Sequence, residues 1–387
     1  MINKLGLKNF KCFDKYKEFE LKRMTVFTGY NGRGKSTVLQ SLLLLGQNIR
    51  KKEDLEELHV NGCFVELDLF NDLINCNHRK DSTISITIGS DVPNCENIRL
   101  EYRRNKQKPR SGELTGMIVN HHNYFVKRSN FEDLFVGNKS NYRAGSYALL
   151  KTYPASIVQV FDKFNYISAS RLGPTKYEDK SDLSEINTVG RIGEKSLNVM
   201  ASDKKLVERV NQHIRYIMDD GTMSISGNND SSSVLNLYMK TAISKDKRVK
   251  SINCGYGYQY VLPIVIATTV NKSGCLFVEN PEAHLHPKAQ TRLLEVICKE
   301  VADQDNKLQL LIETHSEHVI NSIRLCTLKD EIGLKREDTS FYYFTEDYEV
   351  KHLKLDKNAM FEEWPDGFFD ESETMAAEIL RRGLLRG

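Results

Sequence analysis

Met24-Thr25-Val26-Phe27-Thr28 leads straight into Gly29-Tyr30-Asn31-Gly32-Arg33-Gly34-Lys35-Ser36-Thr37, and that into Val38-Leu39-Gln40-Ser41-Leu42-Leu43-Leu44-Leu45. The first run reads as a short buried strand and the last as a helix. Between them, Gly29 and Gly34-Lys35-Ser36 stand at the spacing of a phosphate-binding P-loop, in the strand-to-helix context that the motif needs. Glycines let the backbone come close to an anion. Consecutive N–H groups and the start of the helix then point at phosphate oxygens. Lys35 is placed to reach the β- and γ-phosphates, and the Ser36 hydroxyl to hold Mg²⁺. A glycine-rich turn before an ordinary helix is the plain alternative. The flanks favour a nucleotide, contacted by Gly29, Asn31, Gly32, Arg33, Gly34, Lys35, Ser36 and Thr37.

Far downstream lies an apolar strand that ends in an acid, Cys275-Leu276-Phe277-Val278-Glu279, followed by Asn280-Pro281-Glu282. With a P-loop upstream this is a Walker B pattern, and Glu279 at the strand's carboxyl end can position Mg²⁺ directly or through water. The next buried strand, Leu308 to Ile312, runs into Glu313-Thr314-His315-Ser316. A histidine there can sense or orient a γ-phosphate. Ahead of the Walker B strand, Gly255-Tyr256-Gly257 precedes a helical run, Val261 to Ile266. Gly-x-Gly before a helix makes another anion-binding N-terminus. Alone it reads as a turn; its place just before Walker B gives it weight.

The remaining sequence supplies the frame. Ile2, Leu5 and Leu7 alternate as an opening strand, with a turn near Asn9 to Cys12. Phe64–Leu67, Thr83–Ile88, Ile98–Tyr102 and Met117–Val119 are period-two runs separated by turn residues, which predicts antiparallel sheet. Leu206 to Met218 is helical, and Met223–Ser226 with Val234–Met239 forms a hairpin. Helices at Pro287–Val301 and Glu317–Leu325 alternate with the last buried strands, which implies a mostly parallel sheet.

Composition narrows the class. The chain has 387 residues, 40% of them hydrophobic and 28% charged, so wholesale disorder is excluded. Fifty-five Lys and Arg against 52 Asp and Glu leave a net charge of +3, too balanced for coating nucleic acid by bulk charge. The longest apolar stretch, Val261 to Val270, contains Pro263 and falls well short of the roughly 20 residues of a bilayer span. The start lacks the apolar core of a signal peptide. Eight cysteines without a CxxC pair read as reduced thiols in a cytoplasmic protein. Cys63, Cys76 and His78 fit no zinc spacing.

The order P-loop, Gly-x-Gly turn, Glu279-Asn280-Pro281-Glu282-Ala283-His284-Leu285-His286-Pro287, then Thr314-His315-Ser316, resembles the ABC-type ATPases of the RecF, SMC and OLD group. Leu7-Lys8-Asn9-Phe10-Lys11-Cys12-Phe13 is similar to their first strand. Trp364-Pro365-Asp366-Gly367-Phe368-Phe369-Asp370 resembles the end of a prokaryotic subgroup with a C-terminal domain of unknown function. The resemblance implies an α/β P-loop ABC-type ATPase head with a mostly parallel core sheet, an antiparallel β-subdomain and a helical or mixed insert. We set the limits at 1–100 for the N-terminal half of the head, 101–245 for the hairpin and insert, and 246–387 for the C-terminal half and tail. It further implies ATP and Mg²⁺ as cofactors and a homodimer, or higher homo-oligomer, that sandwiches the nucleotide. One subunit offers its P-loop and the other its signature turn, here Gly255-Tyr256-Gly257. Ser36 and Glu279 would hold the metal, His315 would be the switch histidine, and Ala283 to His286 the loop communicating across the interface. Gln40 and Gln47 are the candidate γ-phosphate-sensing glutamines.

One departure matters. Many ABC ATPases have a water-activating glutamate directly after the Walker B acid, where this chain has Asn280. Asparagine cannot take a proton, so either Glu279 or Glu282 is the base, or turnover is slow and ATP binding itself is the signal. Relatives with this tail are associated with phage defence. They imply a sensor or scaffold controlling a separate nuclease or toxin. A RecF-like DNA-repair clamp and an assembly protein with ATP as interface glue are the alternatives. Arg103 to Arg110 is either a solvated hairpin loop or a contact to a nucleic-acid backbone. Arg171 belongs to packing or to the nucleotide or dimer interface, His121-His122 to the surface or to strand packing, and Trp364 to an apolar anchor or a partner-binding hook. Met375 to Leu385 is a short helix.

Overall fold

The computed structural model describes residues 1–50, 56–79, 82–120, 122–126, 159–161, 163–173, 175–181, 188–227, 232–241, 244, 247–365 and 367–384. A six-stranded sheet stands at the centre, in the order β17 (Val350–Leu353), β16 (Thr339–Phe344), β3 (Met24–Gly29), β15 (Lys307–Glu313), β14 (Ser273–Glu279) and β9 (Phe164–Ile167). Neighbours from β16 to β9 pair in parallel, and β17 alone is antiparallel. The strands carry apolar side chains on both faces, as parallel strands under two covers must. Val26, Val278, Ile312 and Phe341 join one core; Phe27, Phe277, Leu311 and Tyr342 join the other.

The helices in chain order are α1 (Lys35–Arg50), α2 (Ser196–Ala201), α3 (Lys204–Met218), α4 (Tyr256–Val270), α5 (Pro287–Ala302), α6 (Glu317–Cys326) and α7 (Glu371–Leu384). Helices α3 to α6 cover the first face. On the second face α1 lies against a seven-stranded antiparallel sheet, β2 (Lys17–Glu20), β1 (Ile2–Lys8), β5 (Ile84–Ser90), β6 (Asn97–Arg104), β7 (Ser111–Val119) and β4 (Glu57–His59), with β8 (His122–Val126) also on β7. Leu39, Leu42 and Leu43 of α1 are fully buried there; each contributes about 1.5–3 kcal/mol. A four-stranded antiparallel sheet, β10 (Glu178–Asp179), β12 (Val234–Lys240), β11 (Thr222–Ser226) and β13 (Val249–Lys250), joins α2 and α3 in a mixed insert. The α/β head, the parallel core and the antiparallel subdomain are thus as read from the sequence. The limit set at residue 100 falls inside β6.

Phe64–Leu67 is a correction: it makes a single bridge, Asn61 to Glu66, rather than a strand. The cause is Gln47, whose Oε1 accepts the Phe64 and Val65 N–H groups at 3.2 and 2.9 Å. That side chain is 2% exposed, and its bonds bend the chain where a ladder would otherwise form. Gln47 is therefore a buried brace of the turn. Gln40 accepts from Lys11 Nζ at 2.6 Å.

The tail folds back onto the body. Phe368 is buried against Tyr343 at 4.8 Å between ring centroids, and the Trp364 indole N–H donates to the Phe368 carbonyl at 3.1 Å. The free cysteines include exposed Cys63 and Cys76, and His78 hydrogen-bonds Asp14. Among the described residues no His, Cys, Asp and Glu group forms a metal cluster, and no helix is long and apolar enough to cross a membrane. His121 lies outside the described residues.

Candidate functional site

Because β3, β14, β15 and β16 run the same way, their carboxyl ends meet at one edge of the sheet, where open α/β sheets bind ligands. The P-loop leaves β3 there. Gly29 (φ +118°) and Gly34 (φ +106°) hold backbone conformations that side chains resist, and each is also pressed by a neighbour. A Cβ on Gly29 would strike the Phe344 carbonyl of β16, and one on Gly34 the Cys12 sulfur.

Lys35 is 3% exposed, and its ammonium donates to the Gly29 and Tyr30 carbonyls at 2.9 and 2.6 Å. Burial pushes its pKa down and Glu313 pulls it back up. The Ser36 hydroxyl donates to Glu313 Oε1 at 2.8 Å. Glu313 ends β15 in register with Glu279, which ends β14. Burial raises the Glu313 carboxyl to about 7; Glu279 adds to the rise, and the Ser36 hydrogen bond works against it.

Glu279 Oε2 accepts the Ala169 N–H at 3.0 Å and the Ser168 hydroxyl at 3.4 Å. Glu282 accepts Thr314 Oγ1 at 2.9 Å and the His315 N–H at 3.0 Å. It therefore ties the turn after Walker B to the turn carrying His315. Burial and the charge of Lys35 both hold the His315 imidazole below its ordinary pKa. Asn280 sits at φ +44° and donates its N–H to the Glu313 carbonyl at 2.8 Å.

Arg171 is 3% exposed and spans the Glu279 and Asn280 carbonyls at 2.7 Å each. Its guanidinium, lowered to about 10 by burial, braces the Walker B turn from behind. These bonds fit the packing reading of Arg171.

The Gly255-Tyr256-Gly257 turn starts α4. Gly255 has φ −59° and ψ 144°, a backbone any residue adopts, and a Cβ there would meet nothing within 4 Å. Tyr256 is 60% exposed, and the Tyr260 ring lies 4.3 Å from His284. Nothing within the described chain explains glycine at 255; the turn presents an open face. Asn31 and Gly32 are exposed, and Thr37 is half-buried at the start of α1.

Two features escaped the sequence reading. Glu313 was passed over beside His315, although an acid at the end of the strand next to Walker B repeats the Glu279 pattern. The other is a clasp from the C-terminal region. Tyr30 N–H donates to the Phe344 carbonyl at 2.9 Å, and Arg33 Nε to the Glu346 carbonyl at 2.8 Å. The Arg33 guanidinium lies 4.1 Å over the Tyr348 ring. No local periodicity announces such contacts. The basic run spans the end of β6 and the β6–β7 turn, with Arg103 paired to Glu113 at 2.8 Å and Lys108 to Glu57 at 2.7 Å.

These elements together set a glycine-rich loop and a buried lysine in front of two aligned carboxylates. The fit to a metal–nucleotide pair rests on this chain's own atoms. The Ser36 hydroxyl already faces an acid, and the buried Glu313 Oε2 has no hydrogen-bond partner.

Comparisons with known proteins give the family and the fold. A family model described as an AAA ATPase domain matches residues 1–320, and one described as a protein of unknown function (DUF3696) matches residues 334–379. An OLD nuclease of Thermus scotoductus is 22% identical over 82% of this chain, which spans 59% of that protein. An ATP/GTP phosphatase of Helicobacter pylori is 22% identical over 83% of this chain and 86% of its own length. In fold, the SMC head bound to the C-winged helix domain of ScpA is similar, with a TM-score of 0.56 at 15% identity. That alignment covers 92% of this chain and 98% of the other.

Proposed function

The chain belongs to the AAA ATPase domain family, and from that premise we propose that it binds Mg²⁺–ATP at Gly29–Thr37, closes on it as a dimer, and signals to a separate effector. The observation that carries the reading is the meeting of Lys35, Ser36 and the strand-end acids at one sheet edge. Ser36 and Glu279 would hold Mg²⁺, which neutralises charge on the phosphates when bound. Lys35, now engaged with loop carbonyls, would turn to the phosphate oxygens, and the P-loop N–H groups would cradle them.

The second half of the site would come from another copy. The open turn at Gly255–Gly257 begins a helix whose N-terminal N–H groups favour an anion. A partner's bound phosphate is the ligand we assign to it. His315 would read the γ-phosphate, and Glu282 would pass its position to the turn after Walker B through the His315 N–H bond.

Hydrolysis is slow on this reading. Asn280 cannot accept a proton, and Glu282 is occupied by two donors. Slow turnover suits a sensor or scaffold better than a pump. The effector we propose is a nuclease or toxin in prokaryotic anti-phage defence, supported by the similarity to an OLD nuclease. The test is copurification from the native host with ATP, and with a Lys35→Ala chain. An effector that associates with the wild type and leaves when ATP is added supports the reading. Binding to duplex DNA that stimulates ATPase activity would favour a repair clamp.

A further inference from the structure

The partners of the three acids beside the P-loop set one of them apart. Glu279 is held by Ala169 and Ser168, and Glu282 by Thr314 and His315. Glu313 bonds the first turn of α1 itself, through the Ser36 hydroxyl at 2.8 Å. Its second oxygen is buried without a hydrogen-bond partner. A buried acceptor left unmatched is costly, and a site that keeps one calls for an explanation.

Resting on the nucleotide reading above, we propose that Glu313 is the positioning residue that makes triphosphate capture by this chain conditional on a divalent cation. Two effects combine. The Ser36 hydrogen is given to Glu313, so what the hydroxyl offers the cradle is its lone pairs, the form in which it ligates a cation. In its ionised form Glu313 also places negative charge one hydrogen bond from the first turn of α1, in register with the Glu279 carboxyl on the next strand. A bare triphosphate entering the loop meets that charge at short range and in a partly desolvated setting, where it is weakly screened. A divalent cation held by Ser36 offsets the repulsion.

The experiment measures affinity, not turnover. A fluorescent ATP analogue is titrated into the full chain at mildly alkaline pH, once with excess Mg²⁺ and once with EDTA. Wild type should bind far more tightly with Mg²⁺. Glu313→Gln keeps an acceptor for Ser36 and removes the charge. It should tighten binding in EDTA about tenfold and narrow the Mg²⁺-to-EDTA ratio by the same factor. Glu313→Ala should narrow it as well, and thermal unfolding shows that both variants are folded. An unchanged ratio in either folded variant overturns the inference. If in that case wild type still binds with Mg²⁺ and Lys35→Ala does not, the ATP-binding reading stands alone. Wild type that binds in neither buffer overturns both.

Discussion

Glu282 accepts the backbone N–H of His315 at 3.0 Å while its other oxygen accepts the Thr314 hydroxyl at 2.9 Å. A residue of the turn after β14 thus fixes the position of His315, the histidine proposed to read the γ-phosphate. Glu282→Ala leaves two donors without this acceptor, a loss of about 1–3 kcal/mol. We expect ATP affinity within about threefold of wild type and turnover down by tenfold or more. Phosphate release and nucleotide titration on the same preparation check this; an equal loss in both would mean that Glu282 contacts the ligand directly.

The P-loop glycines should not be equivalent. Gly29→Ala meets the Phe344 backbone, Gly34→Ala meets the Cys12 side chain, and Gly32→Ala meets nothing within 4 Å. All three have positive φ, which alone costs an L-residue about 1–2 kcal/mol. Gly32→Ala should therefore lose only that, and the other two should lose nucleotide binding altogether. Adding Cys12→Ala should recover part of the Gly34→Ala defect and none of the Gly29→Ala defect. Equal behaviour of the three single variants in a binding titration would refute the packing described.

Acid should release one clamp. Glu300 is pushed up by burial, but the His213 ring 3.4 Å away and the charges of Lys272 and Arg209 outweigh this and lower it to about 2. Its folded pKa lies below its unfolded value of 4.5, so the added stability is present above that value and disappears as pH falls toward about 2. Arg209 and Lys272 are each 44% exposed, so solvent screens the cluster. After that discount we expect about 1–2 kcal/mol. Denaturant melts of wild type and Glu300→Gln should differ by this amount at neutral pH and converge in acid; a gap that widens in acid would contradict the assignment.

On the proposed reading turnover is slow because the Asn280 amide cannot accept a proton. It sits at φ +44°, which asparagine tolerates better than most residues. Asn280→Glu should cost about 1 kcal/mol of stability and speed hydrolysis well beyond the wild-type rate. Matching single-turnover rates would show that proton acceptance at this position does not limit the reaction.

Much of this was legible in the sequence because it is local. The P-loop, the apolar strands and the helix at Pro287 each fall within a dozen or so residues, so their periodicity and spacing report them. Helix α5 is an example, with Pro287 in its first turn and the His286 ring accepting the Lys288 N–H. What escaped depends on long-range register. Ser36 and Glu313 meet across 277 residues, only because β15 lies beside β3 in parallel. Gln47 meets the Phe64 and Val65 N–H groups only in the folded chain, a contact that no local period announces. The Arg33 clasp required the hairpin of β16 and β17 to reach the P-loop. Hydrophobic period tells a strand which face is buried and says nothing about which neighbour it will have.

The most direct test is the mass of the particle in solution, by sedimentation, with and without Mg²⁺–ATP. Wild type should double in mass only when nucleotide is present, and Lys35→Ala should not respond. Gly255→Asp should bind ATP as wild type does yet stay single, since its backbone accepts a side chain and only a second copy would meet the new charge. A wild-type chain that remains single at saturating nucleotide, or one that pairs regardless of it, would contradict the nucleotide sandwich.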